Sequence, residues 1–438
     1  MTKPAPKQKQ QIDLLSPPLM MAGGYLLLFG VGILDILYFD DRSRLRMTIL
    51  FYRGLSWEAN VYLALTYVFF VVGYYLTPAG AITRSLKPAQ RQWLPQRTTL
   101  VTTTFFLATF AVLMLYTLQI GYGRYGGGGG ETFANLVLLG ELSFIPYAFS
   151  LVRYVQAKAS VAQVAMSQFD RFFLWWVMLP AQLGFSIFIG IRSRAVVVVL
   201  MALTAFHYGY KRLELKWFAI LGIAILFLAV PLLERLRLDP RAQLLLPQES
   251  SSFSVRAWQS IAGRTSAIET FTVIYENTAI VPEPDPIHWA LITGLVPRFL
   301  WPGKPVYTFN ERLTLWAVGV RDLSWMGPTL PGELLLMLGS AGALAFMGFL
   351  GALWRVIKDI CRVDEKGGVW IVLYVVLIRA VMTIEVGFVI PYATLLRYLL
   401  ATVLLILVTT VPIRERVPQI RPTLAGGRRF PDPSPSPG

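Results

Sequence analysis

Charged side chains inside long apolar runs are the first place to look for chemistry in this chain. A charge placed in a membrane crossing costs about 2.5–3.5 kcal/mol and calls for a partner, a water-filled cavity or a task. Asp35, Glu141, Arg379, Glu385 and Arg397 are in that position. Arg379 falls near the middle of its run, where snorkelling is hardest, and so points to a polar cavity. Glu385 and Arg397 flank a short Pro391-Tyr392-Ala393 turn. Antiparallel helices would bring them together within roughly 5–8 Å of the outer boundary, as an ion pair that either pins the helices or belongs to a site. Asp35 and Glu141 read chiefly as helix-packing or interface residues, and His207 as a hydrogen-bonding partner of a neighbouring helix. A second basic group comprises Arg192, Arg194, Arg256, Arg264, Arg298 and Lys304. Arginine presents a planar fork of donors that suits phosphate oxygens, and lysine a compact point charge. Converging on one face, these groups would receive an anionic head group; taken singly, each is a solvated charge. Pro297, Pro302 and Pro305 stiffen the segment that carries Arg298 and Lys304, and Trp301 suits a membrane surface. Glu333 follows Gly332 at the start of an apolar run. It is either a general base beside an arginine-rich anion site or a carboxylate capping its helix.

The elements that must hold these residues are membrane helices. Of the 438 residues, 55% are hydrophobic and 15% charged, and the mean hydropathy is +0.56, against about 45–50% apolar and about 25% charged in a soluble domain. The net charge of +15 does not indicate nucleic acid, because the basic residues sit between apolar runs and not on a soluble domain. One cysteine, Cys361, excludes a disulfide scaffold, and two histidines, His207 and His288, exclude a histidine-rich metal site. About 20 apolar residues span a bilayer's hydrocarbon core. Ten runs suggest crossings: 17–39, 59–78, 99–121, 131–152, 172–191, 195–209, 217–233, 332–353, 368–390 and 394–412. The sixth is short for a full crossing, and the first is too long for a signal peptide. The expected fold is therefore all-α, a polytopic integral membrane protein with about ten transmembrane helices.

Charge orients it. With both termini inside, segments 1–16, 79–98, 153–171, 210–216, 354–367 and 413–438 hold 22 Lys/Arg against 8 Asp/Glu, and the remainder 18 against 17. Nearly all of the positive excess lands on one side, as the positive-inside rule asks, although Arg42, Arg44, Arg46 and Arg53 run against it. The organisation is then a cytoplasmic N-terminus (1–16), helices 1–7 (17–233), one large extracytoplasmic loop with short interfacial helices (234–331), helices 8–10 (332–412) and a disordered tail (413–438). The loop carries nine basic and nine acidic residues among many aromatics, so it can build a small core. The run Gly126–Gly130 lacks the spacing and lysine of a phosphate loop and reads as a turn. Gly339 and Ala343, four apart, suggest a site of close helix approach. No repeat supports an inverted-repeat transporter.

The segment P-R-F-L-W-P-G-K-P (297–305), followed by G-E-L (332–334) and a Gly-rich helix, together with I-R-S-R-A-V-V-V-V at 191–199, resembles the O-antigen and exopolysaccharide repeat-unit polymerases of the Wzy type over about residues 170–410. That resemblance implies a membrane glycosyltransferase in a bacterial cytoplasmic (inner) membrane. It would transfer a glycan from a polyprenyl (undecaprenyl) diphosphate carrier to a hydroxyl of the next lipid-linked repeat unit, at the outer face. It also implies a lipid-bilayer setting and no cofactor, and allows a chain-length regulator as partner. On this reading Arg298, Lys304 and Arg194 lead the diphosphate contacts, and Arg256 and Arg264 are second-rank. Glu333 is the favoured base with Glu385 its competitor, and Arg379 orients a carboxylate or phosphate, with Arg397 nearby. No carboxylate cluster has metal-ligand spacing, so metal-independent chemistry is expected. An O-antigen ligase, or a transporter or flippase for lipid-linked sugars, are the alternatives.

Overall fold

The computed structural model describes residues 13–34, 50–86, 88–120, 140–159, 164–189, 192–214, 267–286, 308–319, 327–363, 368–382 and 387–413, with isolated positions between them. These are mostly helical. In chain order they form α1 (Pro17–Leu34), α2 (Trp57–Leu76), α3 (Ala79–Thr83), β1 (Arg91–Trp93), α4 (Pro95–Ile120), α5 (Phe144–Lys158), α6 (168–189), α7 (Arg192–Gly209), α8 (Ala267–Glu276), α9 (Phe309–Val318), α10 (Leu330–Ile360), α11 (Ile371–Leu377, continued by a 3-10 turn to Met382), α12 (Val389–Thr409) and β2 (Thr410–Pro412). Among the described residues four stretches are long and apolar enough to cross a membrane: Pro17–Leu34, Trp57–Leu76, Pro95–Leu115 and Leu330–Ile360. Arg194–Gly209, Ile371–Val381 and Thr394–Thr409 are shorter apolar helices. Of the ten expected crossings, most of 217–233, the first part of 131–152 and residues 383–386 of 368–390 lie outside the described residues.

Local chemistry explains the helix starts. Ser56 accepts the Ala59 amide at 3.3 Å and caps α2, and Thr329 accepts the Gly332 amide at 3.2 Å and caps α10, each satisfying an otherwise orphaned donor. Ser167 and Asp170 form a reciprocal capping box at the start of α6. The outward face of α2 carries Val61, Leu65, Val68 and Val72, all exposed and spaced to form one stripe. The fully buried Thr66 on the same helix bonds Tyr25 at 2.9 Å. Apolar groups outward and polar groups inward is the arrangement a lipid solvent favours.

The expectation of close approach at Gly339 and Ala343 is corrected. Gly339 breaks α10, with φ 70° and ψ 176°, a conformation essentially confined to glycine. Close approach occurs further along, between α2 and α10. A Cβ at Gly351 would fall 2.0 Å from the Phe70 carbonyl oxygen, and one at Gly73 would fall 1.9 Å from that of Gly348. Absent side chains let these backbones touch. The two helices run parallel: Tyr62 in the second turn of α2 bonds the Ser340 carbonyl at 2.8 Å, just past the Gly339 break, and Thr83, beyond the end of α2, bonds Asp359 in the last turn of α10.

The last two helices also differ from expectation. The Pro391-Tyr392-Ala393 segment is not a turn but the first turn of α12, where a proline removes only an amide that would be unpaired anyway. Arg397 consequently sits eight residues into its helix, roughly 12 Å from the start, and not about three residues in.

The contacts sort the molecule into two ends. At one, β1 pairs antiparallel with β2, Trp93 donates to Gln156 at 2.9 Å, Gln156 donates to the Gly368 carbonyl at 3.0 Å, and Trp370 donates to the Ala89 carbonyl at 3.1 Å. Lys358 and His207 reach Asp13 at the same end. At the other end Leu50 bonds the Ala317 carbonyl at 2.8 Å and Phe51 stacks on Trp316 at 4.3 Å. There α8 packs Phe271 and Tyr275 against Tyr62.

Candidate anion-binding site

Four elements bring a carboxylate and two guanidinium groups together inside the helix bundle. Glu141 lies just ahead of α5, Arg194 in the first turn of α7, Arg379 in the 3-10 turn that ends α11, and Tyr398 in α12. A cation at a helix N-terminus meets the positive end of the helix dipole, so Arg194 needs a carboxylate more than Arg379 does. Arg379 Nη2 bonds both oxygens of Glu141, at 3.2 and 3.1 Å. Its Nη1 donates to the Tyr398 hydroxyl at 2.5 Å, and that hydroxyl lies 3.2 Å from Glu141 Oε2. Arg194 Nη1 stands 3.9 Å from Glu141 Oε1. Its Nη2 reaches Gln182 Oε1 at 2.9 Å and Ser143 Oγ at 3.2 Å. Gln182 turns its amide nitrogen to the same Ser143 oxygen at 2.8 Å. Aromatic faces complete the enclosure: Phe144 lies 4.3 Å from the Arg194 guanidinium and 5.0 Å from that of Arg379, near enough for cation–π attraction.

Among the described residues two guanidinium groups meet one carboxylate, and Arg397, next to Tyr398, lies within electrostatic reach of Glu141. The Arg194 side chain is 3% exposed and that of Arg379 22%, so Arg379 is the one an incoming group meets. Arg194 and His207 stand at opposite ends of α7, roughly 20 Å apart along its axis. The cluster thus lies toward the end of the bundle away from Asp13.

The expected site residues divide into three groups. Arg194, Arg379 and Arg397 gather around Glu141. Arg194 is buried in its helix and does not lie in an open loop. Arg256, Arg264, Arg298, Lys304 and Glu385 lie outside the described residues, and with them the expected Glu385–Arg397 pair. Glu333 stands apart. It is 1% exposed, and its Oε2 accepts the backbone amides of Phe388 and, at 3.3 Å, Val389. It therefore caps the start of α12 and not its own helix, where Thr329 does so. Gly387, at φ +104°, leaves room for that oxygen. From residue 389 to Tyr398, α12 rises roughly 14 Å, which separates Glu333 from the arginines.

Sequence reasoning passed over Ser143, Gln182 and Tyr398 and read Glu141 chiefly as a helix-packing or interface residue. Glu141 was among the charges inside apolar runs, and Gln182 is a bare amide in such a run; nothing local said that the two would meet. No family model, curated protein or solved structure matches this chain.

Proposed function

We propose that the chain is a lipid-linked oligosaccharide polymerase, binding a polyprenyl diphosphate glycan at the Arg194–Arg379 pair and transferring the glycan on the non-cytoplasmic side of a bacterial inner membrane. The observation that carries this reading is the convergence of two guanidinium groups from distant stretches on one carboxylate within an apolar bundle. A departing diphosphate develops negative charge, which pre-placed donors in a water-poor site stabilise strongly. In the transfer step the acceptor hydroxyl oxygen bonds the anomeric carbon, and the bond from that carbon to the diphosphate oxygen breaks. Its electron pair leaves with the diphosphate, and the hydroxyl proton passes to a carboxylate. Glu141 takes that last part: the arginines exchange it for the diphosphate, leaving its oxygens to the acceptor hydroxyl. Glu333, with Oε2 holding two backbone amides, serves as a positioning group for α12.

The ten-crossing, N-in and C-in arrangement belongs to the same proposal. It is supported by the parallel course of α2 and α10, and by the meeting at one end of described residues from the basic segments 1–16, 79–98, 153–171 and 354–367. The test is Arg194→Lys, which keeps charge but removes the fork. Chain extension by purified protein on a lipid-linked repeat unit should fall at least about a hundred-fold while the protein still inserts; wild-type product length would refute the site. A ligase would fail to extend repeat units but would move finished polymer to a lipid acceptor. A transporter reading draws on one specific observation, the second ionic cluster at the far end of α7. Movement of a labelled lipid-linked sugar across liposomes without extension would favour it.

A further inference from the structure

A cavity of about 640 Å³ opens beside the first three turns of α4, between that helix, the end of α5 and the start of α6. Its apolar lining includes Leu100, Met166 and Phe169, with Gln96, Thr103 and Thr104 as polar points. The floor is a buried ion pair, Arg153 Nη2 to Asp170 Oδ2 at 3.3 Å. Arg153 also donates to Thr99 at 3.1 Å and to the Ala165 carbonyl at 2.7 Å. Asp170 Oδ2 further accepts the backbone amide and hydroxyl of Ser167. Most polar atoms of the floor are thus paired; among the described residues Arg153 Nε is left without a hydrogen bond.

The walls are different. Thr98, Thr99, Thr102 and Thr109 on α4 return their hydroxyls to carbonyls one turn back. Among the described residues, Thr103 and Thr104 make no such bond, and both face the cavity. A hydroxyl turned toward lipid without a partner is costly, and a polar ligand group removes that cost. The cavity lies at the basic end. Arg97 and Arg171, each next in the chain to a lining residue, are exposed there. From Pro95 to Thr104 the helix rises roughly 14 Å, close to the depth of one leaflet of a core about 30 Å thick.

We propose that this groove seats an anionic phospholipid of the leaflet at the basic end. Its phosphate lies at the mouth against Arg97 and Arg171, its glycerol and ester oxygens meet Gln96, Thr103 and Thr104, and one acyl chain runs along Leu100 and Phe169. The occupant is a glycerophospholipid and not the glycan carrier, because the positive groups stand at the opposite end of the bundle from the Arg194–Arg379 pair. The inference rests on the membrane reading and is independent of the transferase reading.

The experiment is native mass spectrometry of the purified full chain, stripped of lipid in detergent. It is titrated with dioleoyl phosphatidylglycerol and, separately, with dioleoyl phosphatidylcholine. One phosphatidylglycerol should be retained more tightly than phosphatidylcholine. The Arg97→Gln/Arg171→Gln double variant, altered only at exposed positions, should bind it about 25-fold more weakly, from about five-fold per arginine. Thr103→Val/Thr104→Val should weaken both lipids and keep their ratio. Equal affinity for the two lipids in the wild type, or unchanged phosphatidylglycerol binding in the arginine double variant, would overturn the proposal.

Discussion

Helix α7 carries an ionic cluster at each end, and the two differ in which groups converge. At the inner cluster a single carboxylate, Asp13, is fully subscribed. Oδ1 meets His207 Nε2 at 3.1 Å and the Tyr208 hydroxyl at 2.9 Å, and Oδ2 meets the same hydroxyl at 3.0 Å and Lys358. His207 Nδ1 accepts the Leu213 amide at 3.0 Å, which leaves its Nε2 as the donor to Asp13. The first described residues are fastened in this way to the ends of α7 and α10. At the upper cluster, among the described residues, two guanidinium groups converge on Glu141 with Arg397 nearby. The inner cluster gathers donors around one carboxylate and ties helix ends together; the upper one gathers guanidinium forks, and that of Arg379, 22% exposed, is open to an incoming anion.

That contrast is broken most forcefully at Arg379. Arg379→Ala should lower chain extension by about a hundred- to a thousand-fold, measured as product length per unit of inserted protein. A near wild-type rate would place the upper cluster among structural pairs. Removing the cation of the inner cluster should have the opposite signature: Lys358→Met is expected to cost about 3–5 kcal/mol of stability, since it leaves a carboxylate uncompensated. Extension by the surviving folded protein should be unchanged at low temperature. A thermal melt read beside an activity assay separates the two effects.

Acid gives a smaller, signed effect. Burial alone would raise the Asp13 carboxyl, but the hydrogen bond from His207 and the ammonium of Lys358 outweigh it and hold the group well below the ordinary carboxylate range. A lowered value in the folded state means that Asp13 contributes its full stability above about pH 4 and loses it only as the pH falls further. The melting temperature of Asp13→Asn should therefore lie below that of the wild type at neutral pH, and the gap should narrow in acid. A gap that widened on acidification would contradict the assignment. The smallest effect is expected at His207→Gln, whose side-chain amide still offers a donor to Asp13; a loss within about 1 kcal/mol would fit.

What the sequence could reveal follows the range of the interactions involved. Helices start where short-range chemistry says so, at Ser56, Pro95, Ser167 and Thr329, and the apolar stripe on α2 is readable from its spacing. Arg379 was expected in a polar cavity from its depth alone. Glycine roles were harder, because Gly339, Gly348 and Gly351 look alike in sequence. Which one breaks the helix and which ones touch α2 depends on where the partner lies. Glu333 was expected as a general base or as a cap of its own helix; it caps another helix, since the amides that donate to it belong to residues 388 and 389. Asp13 counted only as one charge of an inside segment. Its three partners come from residues 207, 208 and 358, and no local pattern joins them. The same holds for 141, 194, 379 and 398.

The break at Gly339 divides α10 mechanically. The longer part beyond it is clamped to α2 through backbone contact at Gly348 and Gly351, whereas residues 330–338 pack instead on α8, where Ile274 and Phe271 stand against Gly332. Because Glu333 rides on this arm and holds the amides of Phe388 and Val389, the arm and the start of α12 form one linked piece, and the helix that begins at that link carries Tyr398, whose hydroxyl touches both Arg379 and Glu141.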